Sequence, residues 1–138
     1  MKALILLLTL NQWNADLNYE TTYTQDQGDY WQTPTETVSR KRGDCEDVAI
    51  RKAMLLGSGV IVLGRLPQGL HMVAQDVEGR LYDNSNRSVR TSLNGFQPIM
   101  NFNLMTGKTQ ELGTIDPRLK LRMLRQFSDL LRRMEPGN

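Results

Sequence analysis

The stretch that decides the fold is DCEDVAIRKAMLL, residues 44–56. It predicts a helix with Asp44 as its N-cap, because that carboxylate can accept hydrogen bonds from the unpaired N–H groups of the first turn. Glu46 and Asp47 place negative charge at the positive end of the helix dipole, and Gly57 is a natural C-terminal stop. The helix therefore begins at a defined residue, and its first turn holds the one cysteine of the chain.

That cysteine, Cys45, cannot form an internal disulfide, so it is either a small buried hydrophobe or a reactive group. The backbone N–H groups and the helix dipole at this position favour the thiolate, which is the nucleophilic form. Asp44, Glu46 and Asp47 act the other way, because negative neighbours raise the pKa of a thiol. A reactive Cys45 therefore needs an offsetting charge, either a protonated His71 or a bound cation.

Two predicted strands, His71–Val77 and Arg80–Asp83, are joined by a tight turn and indicate an antiparallel hairpin. The only histidine, His71, opens the first strand and Asp83 closes the second, so the two side chains can meet across the hairpin. The carboxylate would then orient the imidazole, and the imidazole would face the sulfur of Cys45. A buried thiol beside an ordinary surface histidine is the alternative.

The N-terminal residues MKALILLLTL allow two interpretations. One is a secretory signal, although the apolar run is short and no small-residue cleavage site follows it. The other, which we favour, is a buried helix from Lys2 to about Asn18. It would place four apolar residues on one face: Leu6, Leu10, Trp13 and Leu17. The run is too short to span a bilayer.

The remaining pattern completes an α+β chain. The other predicted elements are a short helix from Pro34 to about Arg40, strands at Val60–Leu63 and Phe96–Phe102, and a helix at about 116–135. Asp116-Pro117 starts that last helix and Pro136-Gly137 ends it. Its apolar stripe predicts core packing, with residues Leu119, Met123, Phe127, Leu130 and Met134. Its basic face is either solvated or a docking surface for an acidic partner.

The composition sets broad limits on the class of protein. The chain has 138 residues, 39% hydrophobic content and a formal net charge of +2. We expect a single domain over residues 1–138. A charge so near zero gives no reason to expect nucleic acid as a partner or attachment to a membrane.

Two segments resemble the bacterial transglutaminase-like (LapG-like) cysteine proteinases. They are GDYWQTP, residues 28–34, and GDCEDVAI, residues 43–50. The HMV segment at His71 and the LYDN segment at Asp83 are similar to the family's histidine and aspartate segments, in the same order. The resemblance covers most of the chain, from about residue 10 to 103, and implies a papain-like fold.

The resemblance also implies roles for individual residues. Cys45 would be the nucleophile, His71 the general base and acid, and Asp83 the orienting group. The backbone N–H of Cys45 would help to form the oxyanion hole. Trp31 would line the site or donate to the oxyanion, unless it is simply a packed loop aromatic.

Calcium is a further implication of the resemblance. LapG-like members bind it through acidic residues beside the cysteine, which correspond here to Asp44 and Glu46, with Asp47 as a third candidate. Carboxylates suit Ca²⁺ as ligands, and simple helix capping is the alternative role. The chemistry itself requires no cofactor.

The expected function is hydrolysis of a protein or peptide amide through a thioester. The alternatives are acyl transfer to an amine at the same site, and a binding or structural module without turnover. A regulatory or docking protein partner is compatible with each of the three functions. Secreted relatives carry a signal and a longer segment before the cysteine helix. A cytoplasmic or phage-associated location is therefore favoured, and a periplasmic one if residues 1–10 are a signal.

Overall fold

A computed structural model of the chain describes residues 2–25 and 30–134. The helices in these ranges are α1 (Lys2–Glu20), α2 (Pro34–Arg40), α3 (Cys45–Leu56) and α4 (Pro117–Met134). The strands are β1 (Thr22–Tyr23), β2 (Arg42–Gly43), β3 (Val60–Leu66), β4 (Gly69–Gln75), β5 (Leu81–Tyr82), β6 (Gln97–Asn103) and β7 (Thr109–Glu111). Gly28 and Asp29 of the first family-like segment, and the predicted Pro136-Gly137 stop, lie outside the described residues.

Five strands form an antiparallel sheet in the order β5-β4-β3-β6-β7. The central pair is β3 and β4, in which Gly64 lies opposite His71. The pairing of β3 with β6 shifts register between Leu63 and Gly64, which is a bulge-like irregularity next to the histidine. The predicted α+β class, with helices against a small antiparallel sheet and a C-terminal helix, is confirmed.

The strand ends differ from the prediction in ways that matter for the site. β3 continues beyond its apolar run to Leu66, and β4 begins at Gly69, so His71 is the third residue of its strand and not the first. The cause is backbone pairing, which carries the hairpin through Arg65 and Leu66 although Gly64 and Arg65 interrupt the apolar run. Asp83 directly follows β5 and is not part of the strand.

The core lies between the sheet, α3 and α4. Ile50 and Ala53 of α3 are fully buried against strand residues such as Phe102. The predicted stripe of α4 reaches the same core, with Met123, Phe127 and Leu130 buried and Leu119 and Met134 partly buried. This packing fixes the start of α3 relative to β4, which carries the histidine.

The predicted N-terminal helix is present as α1, but only its second half is packed. Leu17 is buried, and Leu10 and Trp13 contact the core, with Trp13 edge-on to Tyr82 at 5.5 Å between ring centroids. Leu6 is 48% exposed, so the prediction that it shares the buried face is wrong. No helix within the described ranges is long and apolar enough to cross a membrane.

Candidate active site

The start of α3 is fixed at Asp44, the N-cap that its sequence predicts, and the cap is a reciprocal capping box with Asp47. The Asp44 carboxylate accepts a hydrogen bond from the Asp47 N–H at 3.2 Å, and Asp47 accepts one from the Asp44 N–H at 3.0 Å. The other oxygen of Asp47 accepts the Gln32 N–H at 2.8 Å. These bonds satisfy N–H groups that have no partner within the helix, and they set the direction in which Cys45 projects.

Cys45 is half-buried at the first helical position, and its sulfur lies beside the backbone N–H of Met72 on β4. Burial, followed by the negative charge of Glu46, raises the pKa of the Cys45 thiol to about 12. Hydrogen bonds from the N–H groups of Met72 and Glu46 act in the opposite direction and do not prevail. The helix start therefore does not make a free thiolate, and Cys45 needs a base to remove its proton.

His71 and Asp83 meet as the hairpin predicts. The two atoms in contact are His71 Nε2 and Asp83 Oδ1, 2.5 Å apart, and both side chains are about one-tenth exposed. Burial raises the pKa of Asp83, but the hydrogen bond and ion pair with His71, together with hydrogen bonds from Ser85, lower it overall. An ionised carboxylate can only accept, so Nε2 carries the proton and Nδ1 is left as the basic nitrogen. His71 also packs edge-on against Phe96, with ring centroids 6.2 Å apart.

Asp83 is held at both its side chain and its main chain. Ser85 donates to the carboxylate from its hydroxyl at 3.1 Å and from its N–H at 3.3 Å. The Asp83 carbonyl accepts from Lys52 at 3.2 Å, Asn14 at 3.3 Å and Asn18 at 3.1 Å. Sequence reasoning missed these three residues. The available signal was the four-residue spacing of two asparagines on one face of a predicted helix.

Tyr23 is a second residue that the sequence did not single out. The parallel pairing of β1 with β2 sets it opposite Gly43, two residues before Cys45. Burial and the charges of Cys45, Asp44 and Glu46 raise the pKa of the Tyr23 hydroxyl. The side chain remains largely exposed, so it stands at the solvent side of the cysteine.

Trp31 lies in the core. It is 1% exposed and packs edge-on against Phe102, with ring centroids 5.6 Å apart. Its carbonyl accepts a 2.7 Å hydrogen bond from Arg133 of α4. These contacts give Trp31 a packing role in the core. Its role at an oxyanion stays a prediction.

The acidic residues around Cys45 suit calcium in chemistry but are only partly available. Both carboxylate oxygens of Asp47 already accept N–H groups, whereas Asp44 and Glu46 contact each other through their carboxyl groups. Burial and Glu46 raise the pKa of Asp44 to about 8, and burial, with the charge of Asp44, raises that of Asp47 to about 7. Over residues 2–25 and 30–134, no three His, Cys, Asp or Glu side chains are grouped to hold a metal. Asp44 and Glu46 are the two candidate donors that fit, and calcium stays a prediction.

A helix that starts at a cysteine packs on an antiparallel sheet that carries the histidine, with the aspartate directly after a strand, and this α+β arrangement is a papain-like fold. Solved structures of LapG from Legionella pneumophila share it. EGTA-treated LapG superposes with a TM-score of 0.71 and 23% identity, over 93% of this chain and 78% of LapG. A second LapG structure superposes with a TM-score of 0.69 and 23% identity, over the same shares of the two chains. Calcium-bound LapG superposes with a TM-score of 0.68 and 21% identity, over 93% of this chain and 80% of LapG.

The sequence matches no protein-family model and no curated protein. The likeness to LapG confirms the resemblance at the level of the fold. Identity of 21–23% carries no statement about activity. What the residues do therefore rests on the geometry of the site.

Proposed function

We propose that the chain is a cysteine peptidase or amidohydrolase in which Cys45, His71 and Asp83 act together. The observation that carries this proposal is the 2.5 Å contact between His71 Nε2 and Asp83 Oδ1. This contact leaves His71 Nδ1 to act as the base. His71 precedes Met72 on β4, and the backbone N–H of Met72 contacts the Cys45 sulfur. A nucleophile, a base and an orienting carboxylate are the minimum set for acyl transfer through a covalent intermediate.

The proposed reaction has two halves. In the first, the Cys45 thiol proton passes to His71 Nδ1 while sulfur attacks the amide carbonyl carbon. The tetrahedral intermediate collapses to a thioester, and the imidazolium gives its proton to the departing amine. In the second, His71 takes a proton from water as the hydroxide adds to the thioester carbon. The C–S bond then breaks, the leaving Cys45 thiolate takes the proton back from His71, and the released carboxylic acid ionises in water. Asp83 stabilises the imidazolium in both halves, which matters because the high thiol pKa makes His71 the required base.

Two groups support the proposed intermediates. The Cys45 N–H belongs to the first turn of α3, where N–H groups have no intrahelical partner, so it is available to an oxyanion. When bound at Asp44 and Glu46, Ca²⁺ would supply positive charge against carboxylates that raise the pKa of Cys45. The substrate proposed from the fold is a protein or peptide.

A non-catalytic binding module is the second candidate, and one observation favours it. The thiol pKa of about 12 is that of an idle cysteine unless His71 acts on it.

The deciding measurement is the rate of Cys45 alkylation by iodoacetamide between pH 5 and 9, in wild type and His71→Ala. The chain has one cysteine, so mass spectrometry reads a single site. Fast labelling below pH 8 that is lost in His71→Ala supports the proposal. Slow labelling that ignores the substitution supports the binding module. Thermal melting of both proteins controls for folding.

Turnover is tested with a peptide library read by mass spectrometry, with Cys45→Ala as the inactive control. Cleavage that survives in Cys45→Ala would end the proposal. An added primary amine separates hydrolysis from acyl transfer, since its appearance in the product identifies transfer.

A further inference from the structure

Lys52 is a buried cation that the proposed mechanism does not use. It lies on α3 two turns after Cys45 and is 1% exposed. Its ammonium donates to Asn14 Oδ1 at 2.6 Å, to Asn18 Oδ1, and to the Asp83 carbonyl at 3.2 Å. An ammonium has three N–H donors, and here each has an oxygen acceptor.

The acceptors and donors close a network around one carbonyl. The amide nitrogens of Asn14 and Asn18 also donate to the Asp83 oxygen, so it receives N–H groups from α1 and α3 together. The Asn14 amide nitrogen also donates hydrogen bonds to the backbone carbonyls of Asn86 at 2.8 Å and Arg87 at 3.3 Å. The segment that leaves β5 is therefore tied to two helices at the residue that carries the carboxylate.

Keeping a cation here is energetically unfavourable. Burial lowers the pKa of Lys52 to about 7, while the charge of Asp83 acts in the opposite direction. Apolar side chains of similar volume often replace buried ionic groups without loss of stability. Packing alone therefore does not account for a lysine at this position, whereas fixing an oxygen in space does.

We propose that Lys52 is a positioning residue, whose ammonium fixes the Asp83 main chain so that the Asp83 carboxylate meets His71. The role rests on the proposed function, because it serves the histidine that acts on Cys45. The carbonyl and the carboxylate belong to the same residue, so a rotation of the Asp83 backbone moves both. Small errors of position at such a site cost large factors in rate.

Arg51 is the matched control, because it also joins α3 to α1. Its guanidinium pairs with Glu20 at 2.8 Å near the surface, and within the described part of the chain it has no hydrogen bond to Asp83. Lys52→Met and Arg51→Met each remove one cationic link between the same two helices. A purely structural role for Lys52 predicts similar behaviour of the two variants once stability is matched.

The readout is the NMR signal of the His71 Nε2 proton, which the single histidine makes unambiguous. Hydrogen bonding to Asp83 should place it far downfield in wild type and in Arg51→Met. It should vanish in Asp83→Asn, the positive control, and in Lys52→Met at a temperature where core resonances show a folded protein. Iodoacetamide labelling of Cys45 should fall by about tenfold or more in Lys52→Met.

A folded Lys52→Met that keeps both the resonance and the labelling rate would overturn the proposal. If Lys52→Met does not fold, Asn18→Ala decides it by the same two readouts, because it removes one acceptor that holds the Lys52 ammonium and one donor to the Asp83 carbonyl. The proposal expects a weaker resonance and slower labelling, and an Asn18→Ala variant that keeps both would overturn it. The hydrogen-bond signal does not depend on turnover. A wild type with that signal and an unreactive Cys45 would refute the proposed function and leave the positioning role standing.

Discussion

Cys45 is subject to opposing influences at the start of α3. The free N–H groups and dipole of the helix stabilise a thiolate, whereas burial and the charges of Glu46 and Asp44 destabilise it. The second set prevails, and the pKa of the thiol rises to about 12. Position at a helix start is therefore insufficient to make Cys45 reactive. Because the acidic neighbours raise the pKa of the thiol, its proton must be removed by His71.

Asp44→Asn tests this balance at one residue. Asparagine caps a helix as well as aspartate does, so α3 should keep its start while a negative charge beside Cys45 is lost. We expect faster iodoacetamide labelling at pH 9 in chelator, where Asp44, with its pKa of about 8, carries its charge in wild type, by about tenfold for each unit by which the thiol pKa falls. Asp44→Ala is the comparison, since it removes the same charge but loses about 1 kcal/mol of capping. Slower labelling in a folded Asp44→Asn would show that this charge supports the site.

The three residues proposed for catalysis could be predicted from sequence, because each stands at a position with its own local signal. Cys45 follows an N-cap, and His71 and Asp83 fall on the two arms of a short-turn hairpin. Lys52 and Asn14 could not be predicted. A polar residue within an amphipathic helix reads as exposed until the fold supplies its partner, here the Asp83 carbonyl.

At the scale of elements, the longer helices and the central strands follow from periodicity and capping. The exceptions are short polar strands, such as β7, which owe their existence to pairing with β6. β1 and β2, two residues each, likewise give no periodic signal. Such strands are determined by the neighbour that offers hydrogen bonds.

The irregularity between β3 and β6 leads to a prediction about Gly64. A Cβ at this position would contact the Phe96 ring and approach the Gln97 carbonyl to 2.8 Å, so neither can stay where it is. Gly64→Ala should destabilise the fold by about 1–3 kcal/mol in urea unfolding. It should also slow Cys45 labelling, because Phe96 packs against His71.

Gly79→Asn serves as the control for that substitution. Gly79 has a positive φ with open space around it, and asparagine tolerates such a backbone. The variant should lose some stability without any change in labelling. Equal labelling of Gly64→Ala and wild type, both folded, would show that Phe96 does not position the imidazole.

α4 supplies a second element-scale prediction through Arg133. This residue donates to the Trp31 carbonyl and to Glu36 at 3.1 Å, and lies over the Tyr30 ring at 4.4 Å. Arg133→Met should cost about 1–3 kcal/mol, because it leaves a buried carbonyl without its donor. The exposed Arg125 on the same helix is the control, and Arg125→Met should stay within about 0.5 kcal/mol of wild type. Equal losses in the two variants would show that Arg133 is only part of a solvated face.

Over the whole molecule, this chain shares its fold with LapG although only 21–23% of the residues are identical. Few positions need a particular residue to produce it. Buried sites such as Ile50, Met100 and Leu130 require apolar volume, which many side chains supply. The capping box and the hairpin require particular chemistry, and they coincide with the segments that carry the resemblance. This is why the fold was predictable while substrate and location were not.

Stability against pH depends on the acidic cluster and on Lys52, with opposite signs. The pKa values of Asp44 and Asp47, about 8 and 7, lie above the ordinary value of 3.8, so the folded state binds more protons between these limits. Their contribution is complete below pH 4 and is lost as pH rises through 7 and 8. The pKa of Lys52 is lowered from 10.5 to about 7, so its contribution to the free energy of unfolding rises as the pH increases from 7 to 10.5. The interval from pH 5 to 7 therefore reports mainly on the carboxylates.

We expect the free energy of unfolding in chelator to fall by on the order of 2 kcal/mol between pH 5 and 7. Calcium should restore it at pH 7, because a cation binds the deprotonated ligands and displaces their protons more easily there, and it should have little effect at pH 5. Urea unfolding followed by tryptophan fluorescence measures both, with Mg²⁺ as the comparison ion. Glu46→Gln keeps the capping box of Asp44 and Asp47, yet removes one candidate donor and a charge that raises the pKa of Asp44. It should flatten the pH dependence and abolish the calcium effect, and a calcium effect that survives in this variant would place the cation elsewhere.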